Sequence, residues 1–412
     1  MRRVVITGTG VISPLGNTAD ELWENIKQGK NGISEIEGFD SKAMGVTFGG
    51  QVKNFEPTEY GIEKKHTRRM DKFSQYAVAA TKEAIEMSGF DKENCDPFRV
   101  GVIIGSGVGG METIHNEHKK YIERGAKRIS PFFVPMMICN MAAAQVAIYT
   151  GFKGDNYCPV TACASSAHAI GEGYRKIKDG YLDACVVGGS EASVHEFGIA
   201  SFQQIGALST ATELNLASIP FDKRRSGFVM SEGSAVLFIE DYESAKKRGA
   251  NILGEIVGYG ATCDAYHITS PSPTGEGGAM AMEMAIKESG ADKKEIGYIN
   301  AHGTSTHLND LFETRAIKTV FGDLAKELCV SSTKSMTGHL LGAAGSIEAI
   351  ITAFALKDGV IPPTINSSDL DEECDLDYVL GAARKKQVTY AISNSLGFGG
   401  HNATLCFKKF VD

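Results

Sequence analysis

Short, continuously apolar segments alternate with longer segments of helical periodicity along this chain of 412 residues. The apolar segments include 4–7 (VVIT), 100–104 (VGVII) and 184–187 (ACVV), and the helical ones include 74–88, 164–178 and 345–357. A strand without polar alternation is covered on both faces, and the intervening helices can supply that cover. The pattern therefore predicts an α/β fold.

Two faint internal echoes suggest how the chain is organised. Segment 6–10 (ITGTG) recurs at 256–260 (IVGYG), and the helix ending KDG at 178–180 is echoed by one ending KDG at 357–359. Chance similarity of glycine-rich turns is the alternative for either echo, but two in the same order favour duplication. Duplication predicts similar halves, 1–250 and 251–412, whose equivalent helix starts face one another.

Bulk properties exclude several classes of function. The formal net charge of −8 argues against wholesale binding to nucleic acid or to an anionic membrane. No apolar run approaches the roughly 20 residues of a membrane span, and the first residues (MRRVVITG) are typical of a strand, not a secretory signal. The nine cysteines are scattered without a CxxC pair, which predicts reduced thiols and a cytoplasmic location.

Segment 105–110 (GSGVGG), the glycine-rich turn, matches the spacing of a dinucleotide-binding fingerprint after a strand. The segment after it, 111–125, is a polar helix, and no second strand ending in an acid follows at the expected place. We interpret it as a tight turn that lets backbone approach a substrate or a neighbouring helix.

Cys163 lies in segment 161–166 (TACASS), where a short extended piece meets a helix rich in small residues. The positive end of a helix dipole stabilises a thiolate, so this position predicts a reactive cysteine. Small neighbours leave room for a substrate carbonyl at the sulfur. A packed structural cysteine is the alternative reading of this motif alone.

Two histidines follow similar turns. His302 lies where a strand ends in segment 299–306 (INAHGTST), the location where chemistry collects in α/β sheets. The spacing to His307 suits two metal ligands on one helix face poorly, so metal catalysis is not expected. His339 ends segment 332–339 (STKSMTGH), and Glu348 in the apolar helix that follows predicts a buried ion pair with Lys334.

A fourth motif, segment 394–401 (NSLGFGGH), surrounds Phe398 with glycines. Such a turn can move, and it can offer backbone N–H groups to a developing oxyanion. A glycine-rich final hairpin is the alternative.

Together and in this order, the four motifs resemble the β-ketoacyl-(acyl carrier protein) synthases, most closely the type II elongating enzymes of dissociated fatty-acid synthesis. The resemblance covers essentially the whole chain. It implies a thiolase fold, in which two similar halves form a five-layer α-β-α-β-α arrangement, and it implies a homodimer. Cys163 of the first half would then meet His302 and His339 of the second.

The resemblance also implies a mechanism and a partner. The Cys163 thiolate would accept an acyl group from acyl carrier protein, with the N–H groups of Cys163 and Phe398 as oxyanion hole. Malonyl carrier protein would then lose CO2, and neutral His302 and His339 would stabilise the enolate. Lys334 would keep His339 neutral, and Glu348 would compensate the lysine. No cofactor is required.

Further residues follow from the same resemblance. The phosphopantetheine arm and acyl chain would contact Val108, Phe133, Gly198, Phe202, Thr269, Thr304, Thr306 and Gly399. A structural monovalent cation would bind at Asn300, Glu348, Ser393 and Asn394. A basic run in an acidic chain suits an acidic carrier protein, so we expect docking at Lys64, Lys65, Arg68 and Arg69; a solvated helix face is the alternative.

Several positions depart from the family pattern. His307 replaces a common Pro, Leu396 stands where Phe is usual, and Val108 where Ile is frequent, so a looser pocket gate is expected. Gly206 occupies a position where relatives often carry a basic residue that touches carrier protein.

Alternatives stay open at this level. A type I elongating synthase or a polyketide ketosynthase shares every catalytic residue. A thiolase needs a second catalytic cysteine near the end, and Cys406 lies in an apparent strand. Initiating type III synthases use Cys-His-Asn, which His339 argues against, and an inactive partner subunit would lack Cys163.

Overall fold

The computed structural model describes residues 1–411. The strands are β1 (Val4–Ile12), β2 (Ser34–Glu35), β3 (Phe48–Gly49), β4 (Val100–Gly105), β5 (Asn156–Tyr157), β6 (Ala184–Glu191), β7 (Gly233–Asp241), β8 (Gly254–Cys263), β9 (Ile296–Asn300), β10 (Cys329–Ser331), β11 (Val360–Ile361), β12 (Asp377–Tyr378), β13 (Arg384–Lys385), β14 (Tyr390–Gly397) and β15 (His401–Lys408). The α-helices are α1 (Ala19–Lys27), α2 (Lys64–Thr67), α3 (Lys72–Ser88), α4 (Met111–Arg124), α5 (Phe133–Met137), α6 (Met141–Thr150), α7 (Ser165–Lys178), α8 (Glu196–Gln204), α9 (Tyr242–Lys247), α10 (Glu276–Ser289), α11 (His307–Phe321), α12 (Lys334–Thr337) and α13 (Ala344–Asp358).

The main sheet contains the same strand arrangement twice. One part runs in the order β1-β7-β6-β4-β5 and the other in the order β8-β15-β14-β9-β10, with β12 added at the outer edge. In each part the first two neighbouring pairs are antiparallel and the next two are parallel. A short antiparallel pairing of β1 with β8 joins the two parts.

Helices cover both faces of each part. The central layer consists of α7 and α13, which contact each other, and it packs between the two parts of the sheet. Outside the first part lie α3 and α6, and outside the second lie α10 and α11. The order of layers is therefore α-β-α-β-α, and the predicted thiolase fold with duplicated halves is confirmed.

The first echo in the sequence has a physical cause. A Cβ at Gly10 would lie 1.9 Å from the carbonyl oxygen of Ala80 on α3, and one at Gly260 would lie 1.9 Å from that of Ala281 on α10. No side chain fits at such a distance, so both helices need glycine to pack this closely.

Helix α13 is buried from Ala344 through Leu356, which explains why its apolar residues follow no single stripe. Across residues 1–411, no helix has both the length and the apolar character needed to cross a membrane. All nine cysteines are free thiols.

Candidate active site

Cys163 lies in a one-turn 3-10 helix, Ala162–Ala164, that leads directly into α7. Ala162 adopts a φ of 50°, a strained conformation that turns the cysteine out of the extended chain. The turn is in close contact with β14, since a Cβ at Gly397 would lie 3.2 Å from the Cys163 nitrogen. The Cys163 side chain is left 8% exposed, at the inner end of a cavity.

Opposing effects act on the ionisation of Cys163. Burial raises the pKa of the thiol to about 12, although the charge of Lys334 and backbone N–H groups of Phe398 and Cys163 oppose this effect. Burial therefore opposes the thiolate that the helix terminus alone predicts, and the stabilised thiolate stays a prediction. The two N–H groups at the sulfur are the predicted oxyanion donors.

His302 follows β9 in the loop that precedes α11. Glu313, a buried acid of α11, fixes this loop by accepting hydrogen bonds from the backbone N–H groups of His302 and Gly303, each at 2.8 Å. Asn394 donates a further hydrogen bond to Glu313 at 3.2 Å. Sequence reasoning missed Glu313, although an acid in a helix that is buried on most sides is a usable signal.

His339 follows α12, and its backbone is hydrogen-bonded to the segment 229–231. Its backbone N–H donates to the Val229 carbonyl at 2.8 Å, and its carbonyl accepts from the Ser231 N–H at 2.9 Å. The ring packs edge-on against Phe228, with centroids 5.0 Å apart. Within residues 1–411 its Nδ1 atom is buried and has no hydrogen-bond partner.

The three predicted residues converge. The Cys163 sulfur and one ring nitrogen from each of His302 and His339 lie within 4.8 Å of one another, and the two rings are perpendicular with centroids 5.3 Å apart. Burial, followed by the charge of Lys334, lowers the pKa of both imidazoles well below the usual histidine range. Both rings are therefore neutral at physiological pH and can donate an N–H.

Lys334 forms the predicted ion pair with Glu348, and both side chains are 1% exposed. Its Nζ lies 3.3 Å from Nδ1 of His302, and, in addition to burial, its positive charge also lowers the pKa of His339. A hydrogen bond from Nζ to Nδ1 leaves Nε2 of His302 as the protonated nitrogen. The positive charge also makes the Cys-His-His cluster a poor site for a metal cation.

A cavity of about 390 Å³ leads to this cluster. Of the predicted residues, Thr269, Thr304, Thr306 and Phe398 line it, as do the departures Gly206, His307 and Leu396. The hydroxyls of Thr304 and Thr306 lie 2.8 Å apart and present a polar pair within the cavity.

Other predicted pocket residues lie beyond this cavity. Val108 and Phe202 pack on an apolar cluster whose buried members are Val46, Val194, Ile199, Leu208, Phe228, Met230 and Leu341. Phe228 lines the cavity as well, so the apolar cluster borders it. Gly198 is buried where a Cβ would lie 2.1 Å from the Ser193 carbonyl oxygen, which makes it a packing residue of α8. Phe133 is half-buried on α5, and Gly399 is exposed in the turn after β14.

The predicted docking residues Lys64, Lys65, Arg68 and Arg69 are all exposed and lie outside the cavity wall. Lys65 pairs with Glu63 at 2.7 Å. Arg69 stacks on the ring of Phe132, 4.7 Å from its centroid, which places the basic run beside α5.

Three buried oxygens mark the predicted cation site. Within residues 1–411, Oδ1 of Asn300, Oε2 of Glu348 and Oγ of Ser393 have no hydrogen-bond partner. Asn300 and Ser393 are register partners on adjacent strands, and Nδ2 of Asn300 reaches the Glu348 carbonyl at 3.4 Å. The Asn394 side chain is occupied by Glu313 and Thr404, so it offers no free oxygen. Oxygen ligands of this kind fit a hard cation.

Arg225 is a second residue that sequence reasoning missed. It is buried at the cavity wall and donates to the carbonyls of Thr306 at 3.1 Å and His307 at 2.7 Å. Arg225 therefore holds in place the turn that contains Thr304 and Thr306. The two carbonyls that it contacts lie 81 and 82 residues further along the chain, so no local sequence pattern indicates this role.

Fold and site together define a condensing enzyme of the thiolase-fold class, and comparisons identify its family. Family models described as "Beta-ketoacyl synthase, N-terminal domain" and "Beta-ketoacyl synthase, C-terminal domain" match residues 1–245 and 253–368. The chain belongs to the β-ketoacyl synthase family.

The chain is similar to the 3-oxoacyl-[acyl-carrier-protein] synthase 2 of Staphylococcus aureus, with 52% identity over 409 residues and 99% of both chains covered. It superposes on a β-ketoacyl synthase from Burkholderia phymatum with a TM-score of 0.92 and 35% identity over the full length of both. A type II PKS ketosynthase, solved with its acyl-carrier protein, matches with a TM-score of 0.92 and 32% identity, covering 99% of this chain and 100% of that one.

Proposed function

We propose that this protein catalyses the decarboxylative Claisen condensation of an acyl group, carried on Cys163, with malonyl-(acyl carrier protein) in fatty-acid elongation. The observation that carries the proposal is a buried thiol within 4.8 Å of two neutral imidazoles at the end of a cavity. Full-length similarity to the staphylococcal 3-oxoacyl-[acyl-carrier-protein] synthase 2 supports it.

In the first half-reaction, the Cys163 sulfur attacks the thioester carbonyl of acyl carrier protein. The N–H groups of Cys163 and Phe398, which face the sulfur, stabilise the oxyanion. The new S–C bond forms as the bond to phosphopantetheine breaks, and the proton of the thiol passes to the departing phosphopantetheine sulfur. Because the resting thiol is neutral, proton removal is part of this step, and a neutral imidazole of the cluster can relay the proton.

In the second half-reaction, malonyl carrier protein loses CO2 and the resulting enolate attacks the acyl-Cys163 carbonyl. The C–C bond forms as the C–S bond to Cys163 breaks, and the sulfur takes up a proton. His302 and His339 donate N–H bonds to the enolate oxygen, and the contact of Lys334 with Nδ1 fixes the donating tautomer of His302. Each such donor lowers the barrier by about 3–4 kcal/mol.

The cavity supplies the substrate contacts in this proposal. Thr269, Thr304 and Thr306 hydrogen-bond the phosphopantetheine arm, and the apolar cluster with Val108 and Phe202 receives the acyl chain. Gly198 keeps α8 close to this cluster. Phe398, with Gly399 beside it at a φ of 85°, swings to admit the chain, so Phe398→Ala should slow acyl transfer without unfolding the protein. Unchanged transfer rates at every chain length would argue against a gate.

Intact mass after mixing with acyl carrier proteins tests the proposed function. We expect an acyl adduct that disappears in Cys163→Ala. The chain length that reacts fastest separates fatty-acid elongation from polyketide synthesis, to which the type II PKS ketosynthase is devoted. A protein that takes up no acyl group from any carrier thioester would contradict the proposal.

Docking of the carrier protein is assigned to Lys64, Lys65, Arg68 and Arg69, because four exposed positive charges suit an acidic partner. The double variant Arg68→Glu/Arg69→Glu should raise KM for carrier-bound substrate and flatten its salt dependence. A charge reversal at Lys30, which is exposed elsewhere and bonded to Asn25, serves as the control. Equal salt dependence in both variants would point to a merely solvated helix face.

We further propose a cytoplasmic homodimer whose halves divide between residues 250 and 251. The nine free thiols support the location. Val134, Ile148 and Val160 are 55%, 74% and 53% exposed around α5, α6 and β5, and these exposed apolar side chains support dimerisation. Light scattering should give a dimer for the native chain and a monomer for Ile148→Glu. A native monomer would refute the assembly.

A structural monovalent cation is proposed at Asn300, Glu348 and Ser393, supported by their three unpartnered oxygens. Such an ion would neutralise buried negative charge next to the catalytic lysine. Potassium or sodium chloride should raise Tm relative to tetramethylammonium chloride at equal ionic strength, and Ser393→Ala should reduce the difference. Identical melting in all three salts would argue against the site.

A further inference from the structure

The backbone N–H groups of the glycine-rich turn, residues 105–110, bind a carboxylate of the protein itself, the side chain of Glu191. Glu191, the last residue of β6, is completely buried beneath the turn. Its carboxylate accepts the backbone N–H of Gly107 at 2.8 Å and those of Val108 and Gly109 at 3.2 Å. The Ser106 hydroxyl adds a hydrogen bond at 3.1 Å. The N–H groups that would cradle a phosphate in a nucleotide site are therefore already in use.

The same carboxylate reaches into the second half of the chain. Its Oε2 accepts the N–H of Gly342 at 3.1 Å. Gly342 lies in the 3-10 turn Leu341–Ala343 at the start of α13, where Leu341 has a strained φ of 49°. The halves are in backbone contact here, because a Cβ at Gly342 would lie 2.3 Å from the Gly107 nitrogen. Glu191 therefore holds two turns from different halves against each other.

Each of the two turns contributes one side chain to the apolar cluster. Val108 of the first turn and Leu341 of the second each pack into this cluster, which borders the cavity through Phe228. The distance between Val108 and Leu341 depends on backbone groups that hydrogen-bond to Glu191. Replacing an acceptor oxygen of Glu191 must therefore displace Val108, Leu341 or both.

We propose that Glu191 is a positioning residue that sets the spacing of Val108 and Leu341, and thereby the length of acyl chain that the protein accepts on Cys163. This inference rests on the proposed function, because it assumes that the acyl chain carried on Cys163 extends into the apolar cluster.

Burial and hydrogen bonding have opposite effects on the ionisation of Glu191. Burial raises its pKa to about 7, and the hydrogen bonds from the two turns oppose this effect. The nearby groups whose ionisation it influences are the thiols of Cys139, Cys158 and Cys163, and burial raises the pKa of each. These thiols stay neutral, so the N–H groups themselves balance the buried charge. A carboxylate offers two acceptor oxygens here, whereas an amide would turn an NH2 group toward N–H donors.

The test is the variant Glu191→Gln, which preserves volume and replaces one acceptor by a donor. Intact mass would follow the acylation of Cys163 by hexanoyl and hexadecanoyl carrier protein. We expect the ratio of the hexadecanoyl rate to the hexanoyl rate to fall about tenfold, the effect of one lost charge-assisted hydrogen bond. The longer chain suffers more because it contacts more of the displaced walls.

Glu83→Gln is the matched control. Glu83 also accepts two backbone N–H groups, those of Val11 at 2.9 Å and Ala19 at 2.8 Å, and burial raises its pKa to about 7, but it lies outside the cavity wall and the apolar cluster. This variant should lower Tm and leave the chain-length ratio unchanged.

Ser106→Ala removes one donor to Glu191 and one acceptor of the Gly109 N–H, so it is the milder variant and decides the matter if Glu191→Gln does not fold. It should shift the ratio in the same direction by a smaller factor. Folded variants that keep the wild-type ratio while losing Tm, as the control does, would show a purely structural role and overturn the inference. A wild-type protein that forms no adduct with either substrate would instead overturn the proposed function, and this inference with it.

Discussion

The turns that precede the two central helices, α7 and α13, occupy equivalent positions in the two halves but have different roles. Each is a 3-10 turn, Ala162–Ala164 before α7 and Leu341–Ala343 before α13. Their first residues have φ values of 50° and 49°, and the offset between them is 341 − 162 = 179 residues, the offset of the second sequence echo. Cys163 in one turn corresponds to Gly342 in the other.

The difference shows how a duplicated scaffold becomes asymmetric. The first half uses the strained turn to present a sulfur at the end of the cavity. In the second half a glycine at the same place allows the halves to touch and donates its N–H to Glu191. The second half contributes its chemistry from neighbouring segments, with His302 after β9 and His339 after α12. The proposed nucleophile and the proposed enolate donors thus come from different halves.

The largest effect on stability is expected from the ion pair behind the histidines. Lys334→Met leaves Glu348 buried without its partner, which should cost about 3–5 kcal/mol of unfolding free energy. The double variant Lys334→Met/Glu348→Gln removes both charges and should recover most of this loss. Urea denaturation at fixed protein concentration measures both, and equal losses in the single and double variants would mean that the pair is not the cause.

The matched turns give a direct contrast in packing. Gly342→Ala places a Cβ 2.3 Å from the Gly107 nitrogen and should cost about 1–3 kcal/mol. Cys163→Ala, its counterpart, removes a sulfur from the cavity end and should change unfolding free energy by less than about 1 kcal/mol. Similar losses at the two positions, by the same denaturation measurement, would refute the asymmetry.

The thiol of the first half should respond steeply to pH. Because burial raises the pKa of Cys163 to about 12, the thiolate fraction grows with pH throughout the accessible range. Alkylation of Cys163 by iodoacetamide should therefore rise about tenfold per pH unit from neutrality to beyond pH 9. Peptide mass mapping separates this site from the other cysteines, and a plateau below about pH 8 would indicate a stabilised thiolate instead.

The protonation of the two imidazoles in the second half, by contrast, should change little with pH near neutrality. Burial and Lys334 lower the pKa of His302 and His339 well below the ordinary value of 6.5, so neither gains a proton as pH falls through that value. Release of CO2 from malonyl carrier protein should vary less than about twofold between roughly pH 5.5 and 7.5. A loss of activity centred near 6.5 would show that one imidazole titrates normally.

Local patterns predicted the residues to which we assign the chemistry. Cys163, His302, His339 and Lys334 follow turns at the ends of strands or before helices, where short motifs are informative. The glycine-rich turn was likewise interpreted as a close backbone approach, and the structure supplies the partner.

The partners that fix these residues were not predictable in the same way. Glu191 and Gly342 meet across 151 residues, and no local motif connects them. The burial that opposes the predicted thiolate was not predictable for the same reason, since the helix start is local but the residues that surround the Cys163 sulfur are distant in sequence. Sequence therefore locates reactive groups more readily than it predicts their ionisation.

Release of labelled CO2 from malonyl carrier protein, measured alongside the acyl-enzyme mass assay, tests most directly whether the halves divide the reaction. Cys163→Gln is uncharged and keeps both imidazoles, so it should abolish condensation yet retain or raise CO2 release. His302→Ala and His339→Ala should each reduce CO2 release by roughly two to three orders of magnitude while Cys163 still accepts an acyl group at least in part. If Cys163→Gln stopped CO2 release as completely as the histidine variants, the division of labour between the halves would be contradicted.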